Sequence, residues 1–129
     1  MYYPELMSIK GNVQIHPEIL NKFDNWIGKR DFTQRRGLKA SQLIEQINID
    51  RELAQFLLVE ATYLGILKKQ YVLFCPFCNE FKRYDSFNEI PSEIECSQSQ
   101  KEYSPSSYIR NIFLVFDIVK YPGKELIKT

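Results

Sequence analysis

The sequence predicts a single compact α+β protein, and three observations carry that prediction. Apolar residues recur at helical spacing through residues 17–63. A strand-like pattern then runs straight into Cys75-Pro76-Phe77-Cys78, and a near-continuous apolar run, NIFLVFDIV, fills residues 111–119. At 129 residues and 44% hydrophobic, with nine Phe and eight Tyr, the chain has enough large side chains for a proper core. Its 17 Lys+Arg against 16 Asp+Glu leave a formal charge of +1. That balance withholds any global electrostatic argument for nucleic acid or an anionic surface.

The elements follow in order. Residues 1–14 show little periodicity, with a short strand expected near Val13–Ile15. Pro17 opens the first helix, in which Ile19, Leu20, Phe23, Trp26 and Ile27 form one stripe while Glu18, Asn21, Lys22 and Asn25 face away. The helix is expected to run to about Arg30, and the polar stretch 31–37 reads as a loop. A second helix fits Ala40–Ile47, with Leu43, Ile44 and Ile47 inward. Asn48-Ile49-Asp50 makes a short turn in which Asp50 can cap a third helix over Arg51–Tyr63, and Gly65 supplies the left-handed residue after its end. Ile66 and Leu67 lead through a basic bend, Lys68-Lys69-Gln70, into a strand at 71–74.

Helix, helix, three-residue turn, longer helix and strand is an order that resembles a winged helix-turn-helix over residues 17–74. Cys75, Cys78 and Cys96, with 17 residues between the second and third, match the first three ligands of a zinc ribbon. The fourth seat, three positions after Cys96, falls on Ser99, and a neutral hydroxyl is a poor zinc ligand. Asn79 after Cys78 tolerates the positive φ that such a turn needs, whereas Gln100 after Ser99 does so only at a cost. The second half of the ribbon is therefore expected to have lost both its ligand and its turn residue. Four outcomes stay open: a metal-free ribbon; zinc on three cysteines with Asp85, Glu80, Glu95 or His16 as a substitute; a Cys75–Cys78 redox pair; or buried cysteines of no special role. No cofactor is the leading expectation, and zinc is its alternative.

Ile90-Pro91-x2-Ile94-x-Cys96 and Tyr103-Ser104-Pro105-x2-Tyr108-Ile109 resemble the tail of ribbon cassettes attached to small bacterial winged-helix proteins. That resemblance implies an architecture and no activity. The expected organisation is residues 1–74 as an N-terminal strand plus winged helix, and 75–129 as a degenerate ribbon packed on it, since no Gly/Ser/Pro-rich linker follows Phe74. The run at 111–119 is expected to be a strand buried on both faces, or one packed across the module boundary.

On the third helix, Leu53, Leu57, Ala61 and Leu64 are expected to pack inward. The opposite stripe collects Arg51, Gln55, Leu58 and Thr62 beside Val59. A helix that reads bases wants Arg, Lys, Asn or Gln there, not a central leucine. The stripe therefore points to a protein partner, unless Leu58 is covered by the rest of the chain. The alternative is nucleic-acid binding through Lys68, Lys69, Lys82 and Arg83. No enzyme motif is present: there is no GxSxG, P-loop or HExxH, and His16 before Pro17 reads as a helix cap. The chain is thus expected to be a non-enzymatic, cytoplasmic protein-binding adaptor, with no membrane partner and no small-molecule ligand. Residues 1–10 lack a signal-peptide pattern, and the longest apolar stretch, 112–116, is too short to span a bilayer.

Overall fold

A computed structural model describes residues 1–11, 15–31 and 34–121. It is a mixed helix-and-sheet structure, the α+β class that the sequence predicts. The chain forms two compact units: Met1–Lys68 together with the segment from Phe116 onward, and Lys69–Val115. The division thus falls elsewhere than 74/75, and the second unit is an insertion in the chain of the first. Each has its own buried cluster.

The first unit is built on three helices: α1 (Pro17–Gly28), α2 (Ala40–Ile47) and α3 (Arg51–Tyr63). His16 caps α1, its Nδ1 accepting from the Glu18 N–H at 3.1 Å, and Leu20, Phe23 and Ile27 are buried. Asn48 ends α2 in the left-handed region at φ 55. The Asp50 carboxylate accepts from the Leu53 N–H at 2.8 Å and caps α3 as expected. Gly65, at φ 79, turns the chain out of α3.

The N-terminal residues have a periodicity that the helical and strand templates miss. Pro4–Gly11 is a 3-10 helix, and Tyr3, Leu6 and Ile9 are buried at the three-residue spacing of that geometry. Their backbone is anchored on Asp24, a buried carboxylate that accepts from the Tyr2 N–H at 2.8 Å and the Tyr3 N–H at 2.7 Å. Of the strand expected near Val13–Ile15, residues 13 and 14 lie outside the described residues, and Ile15 is buried in the helical core without strand pairing.

Five strands follow: β1 (Leu67–Phe74), β2 (Phe81–Tyr84), β3 (Ile94–Glu95), β4 (Glu102–Tyr103) and β5 (Ile112–Ile118). They form a three-stranded sheet of order β2-β1-β5 and a two-stranded β3-β4 sheet. β1 starts four residues before the expected 71, so Lys68 and Lys69 lie in a strand and not in a bend. Within the first unit, Leu38 exchanges backbone hydrogen bonds with Phe116 at 2.8 Å, and Val119 N–H donates to the Ile66 carbonyl at 2.9 Å.

The C-terminal apolar run is not buried on both faces throughout. Phe113 and Leu114 are exposed, whereas the residues from Val115 to Ile118 are buried. The two halves serve different units: Phe116 and Ile118 join the helical core, and Ile112 packs against the smaller cluster around Leu73, Ile94 and Tyr103. Asp117, between the two core residues, accepts from the Gly37 N–H at 2.8 Å, which satisfies a buried carboxylate inside a strand.

Candidate metal centre

β1 ends at Phe74 and delivers Cys75 into a tight turn that returns as β2. The Cys75 N–H donates to the Glu80 carbonyl at 2.9 Å and closes the turn. β3 delivers Cys96 in the same way: its N–H donates to the Lys101 carbonyl at 2.8 Å before the chain returns as β4. Both closures span five residues, with the second ligand position, Cys78 or Ser99, three residues beyond the first. The two turns are therefore closed alike. A hydrogen bond from Ser97 Oγ to Glu80 Oε2, 2.6 Å, ties one to the other.

This corrects an expectation. The second turn has not lost its geometry, because Gln100 adopts φ 60, and the Gln100 N–H donates to the Cys96 carbonyl at 2.8 Å. Asn79 does not take a positive φ; among the described residues, Asn48 and Gln100 are the non-glycine residues that do. The closing hydrogen bonds hold Gln100 in a conformation that costs an L-residue about 1–2 kcal/mol. Gln100→Gly is accordingly expected to stabilise this unit by about 1 kcal/mol, read as a higher denaturant midpoint at unchanged slope.

The Sγ atoms of Cys75, Cys78 and Cys96 all lie within 4.8 Å of one another, and Cys78 and Cys96 are 3.5 Å apart. Thiolates about 2.3 Å from a tetrahedral zinc stand about 3.8 Å from each other. The three cysteines therefore lie close enough to bind a metal ion, and all three are free of disulfides. Backbone N–H groups aim at the sulfurs: Phe77 at Cys75 (3.5 Å) and Ser99 at Cys96 (3.4 Å). The Ser99 hydroxyl and N–H hold the Cys96 thiol down at about 6, against burial. At Cys78 the Glu80 N–H also pulls down, but burial and hydrogen bonding with Cys75 and Cys96 outweigh it and push the thiol up to about 11. Burial raises Tyr103 to about 12, and its hydroxyl also hydrogen-bonds Cys75. This tyrosine was not legible as part of the site, because nothing in the spacing of β4 distinguishes it from a core aromatic. With Phe77 and Tyr108 it forms a wall of edge-to-face rings, centroids 5.8–6.1 Å apart.

The expected substitutes for a fourth ligand are engaged elsewhere. Asp85 accepts from Gln70 Nε2, Glu80 from Ser97, and His16 from the α1 backbone. Glu95 stands opposite Glu102 in the β3-β4 pair. Among the described residues no His, Asp or Glu joins the cysteine group.

The expected partner stripe on α3 is broken at its centre. Leu58 is fully buried, packed in the helical core with Ala54, Leu57 and Ala61. The inward stripe is thus rotated from the expected Leu53, Leu57, Ala61 and Leu64. Arg51, Gln55 and Val59 are exposed, and Thr62 is half-buried with its hydroxyl on the Leu58 carbonyl. Of the nucleic-acid candidates, Lys68, Lys69 and Lys82 are exposed and Arg83 is half-buried. Lys82 and Arg83 are neighbours in one strand, as are Lys68 and Lys69, so alternation sends each pair to opposite faces and no single basic patch results.

The second unit carries a different exposed feature. Phe74 and Phe81 face each other across the β1-β2 pair with ring centroids 5.7 Å apart, and Phe113 on β5 lies 5.6 Å from Phe74. They are 39%, 54% and 39% exposed. They do not stand out as a group in the sequence because they come from three strands. Among the described residues no helix is long and apolar enough to cross a membrane. No protein-family model, no curated protein and no solved structure matches the chain.

Proposed function

We propose that this chain is a non-enzymatic protein-binding adaptor, a winged helix whose chain is interrupted by a degenerate zinc ribbon of the small bacterial cassette type. The winged-helix part is supported by α2, the three-residue turn and α3, together with the backbone pairing of Leu38, Ile66 and Phe116–Lys120 around the helices. The ribbon part is supported by two turns closed by equivalent hydrogen bonds and by the spacing of the three sulfurs. Zinc is the metal such a thiolate set favours in tetrahedral geometry. In this reading it fastens the two turns of a unit whose own buried cluster is small.

The observation that carries the adaptor reading is the exposed Phe74–Phe81–Phe113 cluster. Large contiguous apolar surface costs solubility unless a partner covers it. The inserted unit has five Lys/Arg against six Asp/Glu, so it lacks the positive field that phosphate recognition requires. Aromatics without surplus positive charge favour a protein surface over a nucleic-acid strand.

Phe81→Glu tests this. Wild-type protein purified from its host at high salt is expected to retain a partner at fixed stoichiometry. The variant is expected to lose it, with affinity down about 100-fold, while thermal unfolding and metal content stay unchanged. Equal retention by the variant, or a nucleic acid that salt releases as the one bound species, would overturn the reading.

A further inference from the structure

We infer that the cysteine site holds its metal through three thiolates and leaves the fourth coordination position to an exchangeable donor from solution. This rests on the metal-binding half of the reading above and goes beyond it, because a structural zinc site is ordinarily closed by four protein ligands. The second turn keeps its whole backbone frame: the Cys96–Lys101 closure, the Ser99 N–H on Cys96 Sγ, and Gln100 at φ 60. A frame held against that backbone cost fits a turn still in use. The fourth corner falls at Ser99, whose neutral hydroxyl is a poor zinc ligand and accepts from the Lys101 N–H at 3.4 Å, while its backbone N–H donates to Cys96 Sγ.

Ser99 is therefore a positioning residue for Cys96 and not a ligand. Its side chain is exposed, and Cys75 and Cys78 are partly exposed, so the open corner is reachable from water. Three thiolates on a divalent cation leave the site with one negative charge and a soft metal that still lacks a donor. The ligand that fits is a single monodentate donor: water in the free protein, replaceable by an imidazole or a thiolate. The ring wall of Phe77, Tyr103 and Tyr108, which begins two residues from Cys75, offers an incoming imidazole an aromatic surface.

Cobalt(II) titration of the full chain, in a non-coordinating reductant, tests this by visible absorption. Wild type is expected to bind one cobalt with thiolate charge-transfer bands, and added imidazole should shift the ligand-field bands. Ser99→Cys is expected to bind cobalt on the order of 10- to 100-fold more tightly and to ignore imidazole. Ser99→Ala, which removes the hydroxyl, should still bind cobalt and still show the imidazole shift. Cobalt binding with bands that imidazole does not move, in wild type or in Ser99→Ala, would overturn the open position while leaving the metal site standing. Failure of wild type to bind cobalt would overturn both.

Discussion

Leu58→Arg is expected to unfold the helical unit, with a loss of more than about 4 kcal/mol. The side chain is fully buried on the inward face of α3, in one cluster with Phe23, Leu43, Leu57 and Ile66. Truncating such a leucine alone costs about 2–5 kcal/mol. An arginine adds an unpaired charge that must either be desolvated or force the helix outward. Val59→Arg, one residue along on the exposed side, is expected to change stability by no more than about 0.5 kcal/mol. Thermal unfolding followed by circular dichroism separates the two. A folded Leu58→Arg variant with an unchanged midpoint would return Leu58 to the surface and restore the α3 partner stripe.

The second large effect is expected on metal removal. The inserted unit, Lys69–Val115, is organised around a small buried cluster of Leu73, Ile94 and Tyr103. Segments below about 70 residues rarely gain more than 3–5 kcal/mol from a core alone and need a staple. Structural zinc contributes binding free energy directly to folding, and here it would join the turn after β1 to the turn after β3. A strong chelator is therefore expected to strip amide-exchange protection from β2, β3 and β4. Helices α1, α2 and α3, whose core is far larger, should keep theirs. Uniform protection before and after chelation would contradict that.

How much was legible in the sequence follows from how local each determinant is. The limits of α2 and α3, the Asp50 cap and the left-handed Gly65 depend on neighbouring residues, and they were readable. The face of α3 was not. It carries Leu53, Leu57 and Leu58 with Leu64 just beyond, so two stripes a fraction of a turn apart score alike, and packing partners distant in sequence choose between them. The N-terminal 3-10 helix hid behind a three-residue period that neither the helical nor the strand template detects.

The cysteine site was legible as a spacing and misjudged as a geometry. Gln100 disfavours the turn by intrinsic preference, yet two backbone hydrogen bonds override that preference, so a residue-by-residue judgement condemned a turn that the fold preserves. The apolar run at 111–119 is a strand that contributes to both units, the second of its two expected arrangements. Its composition is uniform, but Phe113 and Leu114 are exposed while Phe116 and Ile118 enter the helical core, a distinction that exists only once the chain has two units.

The central claim is that three cysteines and a preserved second turn still hold a metal although Ser99 stands in the last seat. Its most direct test is the intact mass of the folded chain, purified without chelator and sprayed under native conditions. The predicted result is one zinc per chain, lost on Cys96→Ala and retained on Ser99→Ala. A metal-free native mass for the wild-type chain would contradict the account.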